Sequence, residues 1–283
     1  MNIKLTIILA FIITSLSLSA QKMELGLMGG LSIYSGDLSP KEFGLYFKDI
    51  RLAYGVFGRY TPGSKISLRF AYERANLAAD DNNSVIPAIK NRGYIFKTKL
   101  NEFSFLLEWN VFTLGRTNGV KFTPYLFAGG AYYTFNPQGK LDNDWIDLQP
   151  LGTEGQGLSG YTAPYDLAQF AIPAGGGFKL DLDKNVVLGF EFGGRKLFTD
   201  YLDDVTSNGP ISYFDVRDGN GEVAAHFSYP AAKGDEDLSY RRGGKYNDWY
   251  FIGNVTLSVR IGDRSGIFGG GRGQGIGCPG AQF

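Results

Sequence analysis

Histidine and cysteine occur once each in the 283 residues, as His226 and Cys278. A single cysteine excludes an intramolecular disulfide and leaves a buried thiol, an idle thiol or one half of an intermolecular bridge. A single histidine excludes His-rich and paired-His zinc sites. Net charge is missing too: 28 Lys and Arg balance 28 Asp and Glu, so no whole-chain charge argues for nucleic acid or an anionic surface. Past the first 20 residues no apolar run reaches the roughly 20 residues that a spanning helix needs, so insertion in a bilayer would have to be as a barrel.

The chain is instead rich in glycine (40), phenylalanine (22) and tyrosine (17), a composition of strands and turns. Its first segment carries Lys4, an apolar run from Leu5 to Ile13, and small residues from Thr14 to Ala20. That order predicts a signal peptide over residues 1–20, cut near Ala20–Gln21, although Leu18 is not the small residue ideal at that position. The run is too short for a transmembrane anchor. Nothing beyond it reads as a linker between two cores, which leaves residues 21–261 as one domain and 262–283 as a tail.

A strand with lipid on one side and a lumen on the other must alternate at every residue. Between Glu102 and Phe112, Phe103, Phe105, Leu107, Trp109 and Val111 share one face, while Glu102, Ser104, Leu106, Glu108 and Asn110 share the other. The same period gives outward sets of Leu25, Leu27, Leu31 and Ile33 in strand one, Leu52, Tyr54, Val56 and Tyr60 in strand two, and Ile66, Leu68, Phe70 and Tyr72 in strand three. Strand five is read with Tyr125, Phe127, Ala131, Tyr133 and Phe135 outward. Strand six offers Phe170, Ile172, Phe178 and Leu180, strand seven Val186, Leu188, Phe190 and Phe192, and strand eight Trp249, Phe251, Val255, Leu257, Val259 and Ile261.

The fold class expected is all-β, an eight-stranded antiparallel transmembrane β-barrel. Its inner faces carry Arg59, Arg69, Glu73, Glu102, Glu108, Lys179, Glu191, Arg195 and Arg260, which predict a lumen packed with ion pairs rather than a conduction path, because eight strands leave room only for side chains. Connections alternate in length: Thr61–Ser64, Thr113–Lys121 and Asp183–Asn185 are short, while Ser35–Ile50, Ala78–Lys97, Asn136–Leu167 and Thr199–Asn247 are long. Short periplasmic turns and long extracellular loops give the orientation, with both ends of the mature chain in the periplasm and the chain in the outer membrane. A soluble lipocalin-like barrel needs the inverted assignment, with the aromatic faces inside.

Candidate chemistry is sparse. His226 and Ser228 have the two-apart spacing found on a rim strand of outer-membrane lipid-A deacylases, but they lie in the fourth long loop with no orienting acid in evidence. The residue expected there is a surface-loop histidine. Asp200, Asp203 and Asp204 in TDYLDDV offer oxygen ligands without the spacing of a calcium loop, and read as a solvated acidic loop base. Gly175-Gly176-Gly177 and Gly269-Gly270-Gly271 open no helix, so nucleotide binding is unsupported; in strand six glycines serve bending or close backbone approach. The expectation is a chain without catalytic residues, metal or cofactor. The Gly-rich tail, expected on the periplasmic side, reads either as a disordered end with an idle thiol or as a peptide that orders on a partner, with Phe268, Arg272, Cys278 and Phe283 as the partner-binding residues.

Two long strings, PLGTEGQG from Pro150 to Gly157 and TDYLDDV from Thr199 to Val205, resemble the PorG-type outer-membrane proteins of Bacteroidetes. Ser35-Gly36-Asp37-Leu38, Asn91-Arg92, FTPYLFAGG from Phe122 to Gly130, and Arg195 add to the resemblance, which covers most of the mature chain. It implies a structural role in type IX protein secretion, the machine that exports adhesins in gliding bacteria, with a periplasmic ring of a lipoprotein and its partner as the contact. The tail is the part that matches least. The alternatives are a barrel whose outer loops bind a surface ligand and a lipid-A-modifying rim enzyme.

Overall fold

The computed structural model describes residues 22–39, 44–83, 90, 93–115, 120–206, 209–230, 239–240, 243 and 246–261. The expected signal peptide and the tail, including Phe268, Arg272, Cys278 and Phe283, lie outside the described residues, as do Asn91 and Arg92. Eight long strands, β1 (Lys22–Ser35), β2 (Arg51–Thr61), β3 (Ile66–Asp80), β4 (Ile95–Asn110), β5 (Lys121–Thr134), β6 (Ala168–Asp181), β7 (Val186–Leu197) and β8 (Trp249–Ile261), pair antiparallel in sequence order. The pairing of β1 with β8 closes the barrel. One row of partners runs from Met23 through Tyr60, Leu68, Leu107, Ala128, Ala174, Gly194 and Phe251, and returns to β1 at Ile33, ten residues beyond Met23. Such an offset requires the strands to tilt, so every row climbs around the wall.

Closure leaves no sheet edge and satisfies the backbone between strands, the condition for crossing a bilayer. The outer wall is correspondingly apolar: Leu27, Phe70, Phe103, Leu107, Phe170 and Leu257 are each at least half exposed. This is the architecture of an outer-membrane β-barrel. Both described ends, Lys22 and Ile261, stand at the rim that carries the three short connections, here termed the turn end; the long connections stand at the loop end.

The structure corrects the reading of β5. Tyr125, Phe127, Ala131 and Tyr133, with Phe135 just beyond, face inward and are buried, while Leu126 and Tyr132 face out. The reason lies in the neighbouring strands. On β6 and β7 the inward positions Gly175 and Gly193 leave a hollow that the Phe127 ring fills, and a Cβ at either would stand 2.6 Å from Phe127 Cζ. The Tyr125 hydroxyl donates to Glu191 at 2.6 Å. The close backbone approach expected of the strand-six glycines is thus present. The inner and outer sets read for the other seven strands agree with the observed burial except at Ile33, near the loop end of β1, which is expected outward and is 6% exposed.

The lumen holds the expected ion pairs. Toward the turn end, Glu108 lies 3.0 Å from Arg59, 3.2 Å from Arg69 and 2.6 Å from Lys179. Arg59 continues to Glu24 and Arg69 to Glu191, while Arg260 bridges Glu24 and Asp181. Nearer the loop end, Arg195 joins Glu73 and Glu102, with Asn254 donating to Glu73 and Tyr250 to Glu102. These buried side chains fill the interior as a side-chain core, and the charges within it are paired as burial requires.

Candidate functional site

At the loop end, segments far apart in sequence fold over the barrel mouth as one cap. Pro150 sits in the first positions of a 3-10 turn, Gln149–Leu151, and Gly152, Gly155 and Gly157 follow at φ of 61°, 78° and 87°. Those left-handed positions favour glycine, which accounts for the spacing of the string PLGTEGQG. Its side chains then bind the string TDYLDDV. Thr153 Oγ1 donates to Asp204 Oδ2 at 2.5 Å, Tyr165 Oη donates to Asp204 Oδ1 at 2.7 Å, and the Thr206 backbone N–H donates to Glu154 Oε1 at 2.9 Å. Asp204 is held at φ 67°, a region costly for a side chain larger than glycine and kept by these contacts.

The third piece comes from the end of β1. Tyr34 Oη lies 2.5 Å from Asp203 Oδ2 and 3.1 Å from Asp248 Oδ1, and the Leu202 N–H donates to the other oxygen of Asp248. Next to it Gly36 passes so close to the Asp248 carboxylate that any side chain there would collide. Below the cap, Tyr165 stacks on Tyr201 at 4.3 Å and on Phe135 at 6.2 Å. Above it, two short helices, α1 (Tyr213–Asn220) and α2 (Glu222–Ser228), are tied down by Asn220 Nδ2 donating to the Gly152 carbonyl.

This arrangement overturns the solvated reading of the acidic string, because Asp203 and Asp204 are fully buried. Solvation was expected of three carboxylates in a loop, but the end of β1 and the third and fourth long loops together exclude water and supply donors instead. A tyrosine hydroxyl has one proton and here meets two carboxyl groups. Tyr34 can donate to only one of them, so the second contact needs a proton from the other carboxyl. Burial pushes both Asp203 and Asp248 well above the ordinary carboxylate range, and the neighbouring carboxylates, Asp37 for Asp203 and Asp203 for Asp248, push the same way.

A carboxyl that keeps its proton longer in the folded cap than in the unfolded chain stabilises the cap at acid pH. That contribution falls as pH rises from the ordinary Asp value, about 3.9, through the raised folded value. Amide exchange, corrected for intrinsic rates, is therefore expected to show greater protection of residues 149–165 and 199–206 at pH 5 than at pH 8. Asp248→Asn supplies the missing proton permanently and flattens the difference. Protection that grows with pH in the wild type would contradict the shared proton.

The remaining candidates are dispersed. On α2, His226 is exposed and Ser228 buried, and residues two apart on a helix do not share a face, so the pair is not assembled as nucleophile and base. Among the described residues, no cluster of three or more His, Cys, Asp or Glu could hold a metal ion. Arg195 sits beneath the cap on Glu73 and Glu102. Tyr34, Tyr165 and Asp248 were not marked by any sequence signal, since each gains its role only from a distant partner.

A family model described as a domain of unknown function, DUF6089, matches residues 3–229. The chain belongs to the DUF6089 family. That match takes in seven strands, both strings of the cap and the two helices. No curated protein matches the DUF6089 chain. Its fold is similar to the N-terminal β-barrel domain of Pseudomonas aeruginosa OprF, with 11% identity, 85% of this chain and 97% of that one covered, and a TM-score of 0.37. Neisserial surface protein A is similar over 86% of this chain and 98% of its own, at 10% identity and a TM-score of 0.37. For a major outer membrane protein from Thermus thermophilus the values are 14% identity, 86% and 100% coverage, and a TM-score of 0.38.

Proposed function

We propose that this DUF6089 barrel is a structural outer-membrane component of the type IX protein secretion system, which anchors a periplasmic lipoprotein-containing ring to the outer membrane. In this reading the turn end, with both chain ends, faces the periplasm and the cap faces outside. One observation supports it most: the two strings that carry the PorG resemblance, well separated in sequence, close on each other through Asp204 in a single buried unit. The two strings therefore belong to one structural core of this chain rather than to scattered turns. A rigid lid over a filled lumen suits a scaffold, because neither a permeation path nor an open rim cleft is needed for anchoring.

The contact to the ring is proposed to lie in the tail after Ile261, with Phe268, Arg272, Cys278 and Phe283 as its anchors. The periplasm is oxidising, so Cys278 can bridge to a partner cysteine. Affinity purification of a tagged chain from gently solubilised membranes, run on gels with and without reductant, tests this. The expected result is co-purification of a periplasmic lipoprotein complex, with a shifted band that vanishes on reduction and in Cys278→Ser.

A further inference from the structure

The outer face of β3 and β4 changes character abruptly toward the loop end. On β3 the outward residues run Phe70, Tyr72, Arg74, Asn76; on β4 they run Phe105, Phe103, Asn101, Lys99, Lys97. Pairing sets Arg74 opposite Asn101, Asn76 opposite Lys99 and Ala78 opposite Lys97, so three cations stand on three consecutive rows of two adjacent strands. Arg74 and Lys99 are diagonal neighbours about 7 Å apart and Lys97 stands one row beyond Lys99, so the three long side chains can converge on one anion. Among the described residues none of the three makes an ion pair. Lys97 Nζ lies 3.9 Å over the Trp145 ring. Two acids share this face, Asp147, which accepts from Asn136 and Gln138, and Asp80, which accepts from Asn82; among the described residues neither makes an ion pair with the three cations.

Directly toward the turn end, the apolar wall is grooved rather than smooth. Tyr72, Phe103 and Tyr132 form one row of partners and Phe70, Phe105 and Gly130 the next. Between these rows, which continue through Leu25 and Leu27 on β1 to Val259 and Leu257 on β8 and to Phe170 on β6, runs one groove of about 960 Å³ in all, lined almost wholly by apolar surface, with Gly130 opening its stretch beside β4. A cluster of like charges repels itself unless an anion lies among them, and here it stands at the margin of a lipid-facing surface.

We infer that the loop-end face of β3 and β4 binds the phosphate-bearing headgroup of an outer-leaflet glycolipid, with Arg74, Lys97 and Lys99 on the phosphate and an acyl chain in the adjoining groove. Arg74 offers a planar fork of donors that fits phosphate oxygens, while the two lysines supply point charges. Between them Asn76 Nδ2 donates to the Leu52 carbonyl, whereas Asn101, whose Oδ1 accepts from Tyr72, can turn its amide N–H toward a sugar hydroxyl. The choice of the outer leaflet rests on the orientation proposed above.

Native mass spectrometry of the purified full chain in mild detergent tests the site, with bisphosphorylated lipid A as the probe. Binding is expected to fall at least tenfold in Arg74→Gln/Lys97→Gln/Lys99→Gln and to persist in Lys65→Gln/Lys121→Gln at the turn end. A heat-shifted gel band verifies folding of each variant. For the wild type alone, dephosphorylated lipid A is expected to bind at least tenfold more weakly, a comparison that needs no variant. The inference is overturned if dephosphorylated lipid A or phosphatidylglycerol binds as well as lipid A, if millimolar inorganic phosphate displaces it, or if the triple variant keeps it. Because the readout is binding by the isolated chain, failure of the secretion role leaves this result unaffected.

Discussion

Glu108→Ala is expected to lower the unfolding free energy by about 3–5 kcal/mol, the range for breaking a buried ion pair from one side. Three cations, Arg59, Arg69 and Lys179, converge on this one carboxylate, whose side chain is 0% exposed. Removing it leaves those charges crowded together in a water-poor interior. Arg59 retains Glu24 and Arg69 retains Glu191, but Lys179 keeps no carboxylate among the described residues, holding the neutral Asn110 oxygen at 3.1 Å and the face of the Tyr125 ring at 4.4 Å. Glu108→Gln preserves the shape and one acceptor, and should be milder than the alanine. Arg217→Ala, which removes a surface pair with Asp218 whose side chains are 28% and 66% exposed, serves as the comparison and should shift the midpoint far less. Urea unfolding in vesicles, followed by the gel shift of the folded barrel, measures all three. Equal midpoints for Glu108→Ala and Arg217→Ala would show that the lumen is hydrated and not a packed core.

Lipid-facing positions provide the second large effect. Phe105→Arg, Leu107→Arg and Leu126→Arg should each cost about 2–4 kcal/mol near the bilayer midplane. Leu126 is the informative one, since it is 52% exposed on a strand where its neighbour Tyr125 is 1% exposed. Asn110→Ala, an inward residue near the turn end that donates to the Ser64 carbonyl and accepts from Lys179, should cost about 1–2 kcal/mol. If Leu126→Arg proves as mild as Asn110→Ala in the same vesicle assay, the face of β5 has been turned the wrong way.

That strand also shows where sequence reading stops. β4 could be oriented because its two faces differ in kind: Phe103, Phe105 and Trp109 against Glu102 and Glu108. On β5 both faces are apolar and the inner one carries more aromatic surface, so hydrophobicity favoured the wrong side. The deciding information sat on other strands, in the glycines at 175 and 193 that make space for Phe127. The cap was hidden for a related reason. Three glycines with left-handed backbones could be suspected from the string PLGTEGQG, but burial of Asp203 and Asp204 depends on Tyr34, Thr153 and Tyr165, contributed by other segments. A local reading of an acidic loop has no access to those partners. The ion pairs of the lumen were legible because charge at alternate strand positions has few other places to go in a membrane barrel.

Attachment of this barrel to a periplasmic assembly is the central functional claim. The most direct measurement is quantitative mass spectrometry of what co-purifies with the tagged chain, comparing the full chain with one ending at Ile261. One lipoprotein complex is expected in constant ratio with the full chain and lost from the truncated one, while both barrels remain folded in the outer membrane. Recovery of no consistent periplasmic partner with the full chain would contradict that claim.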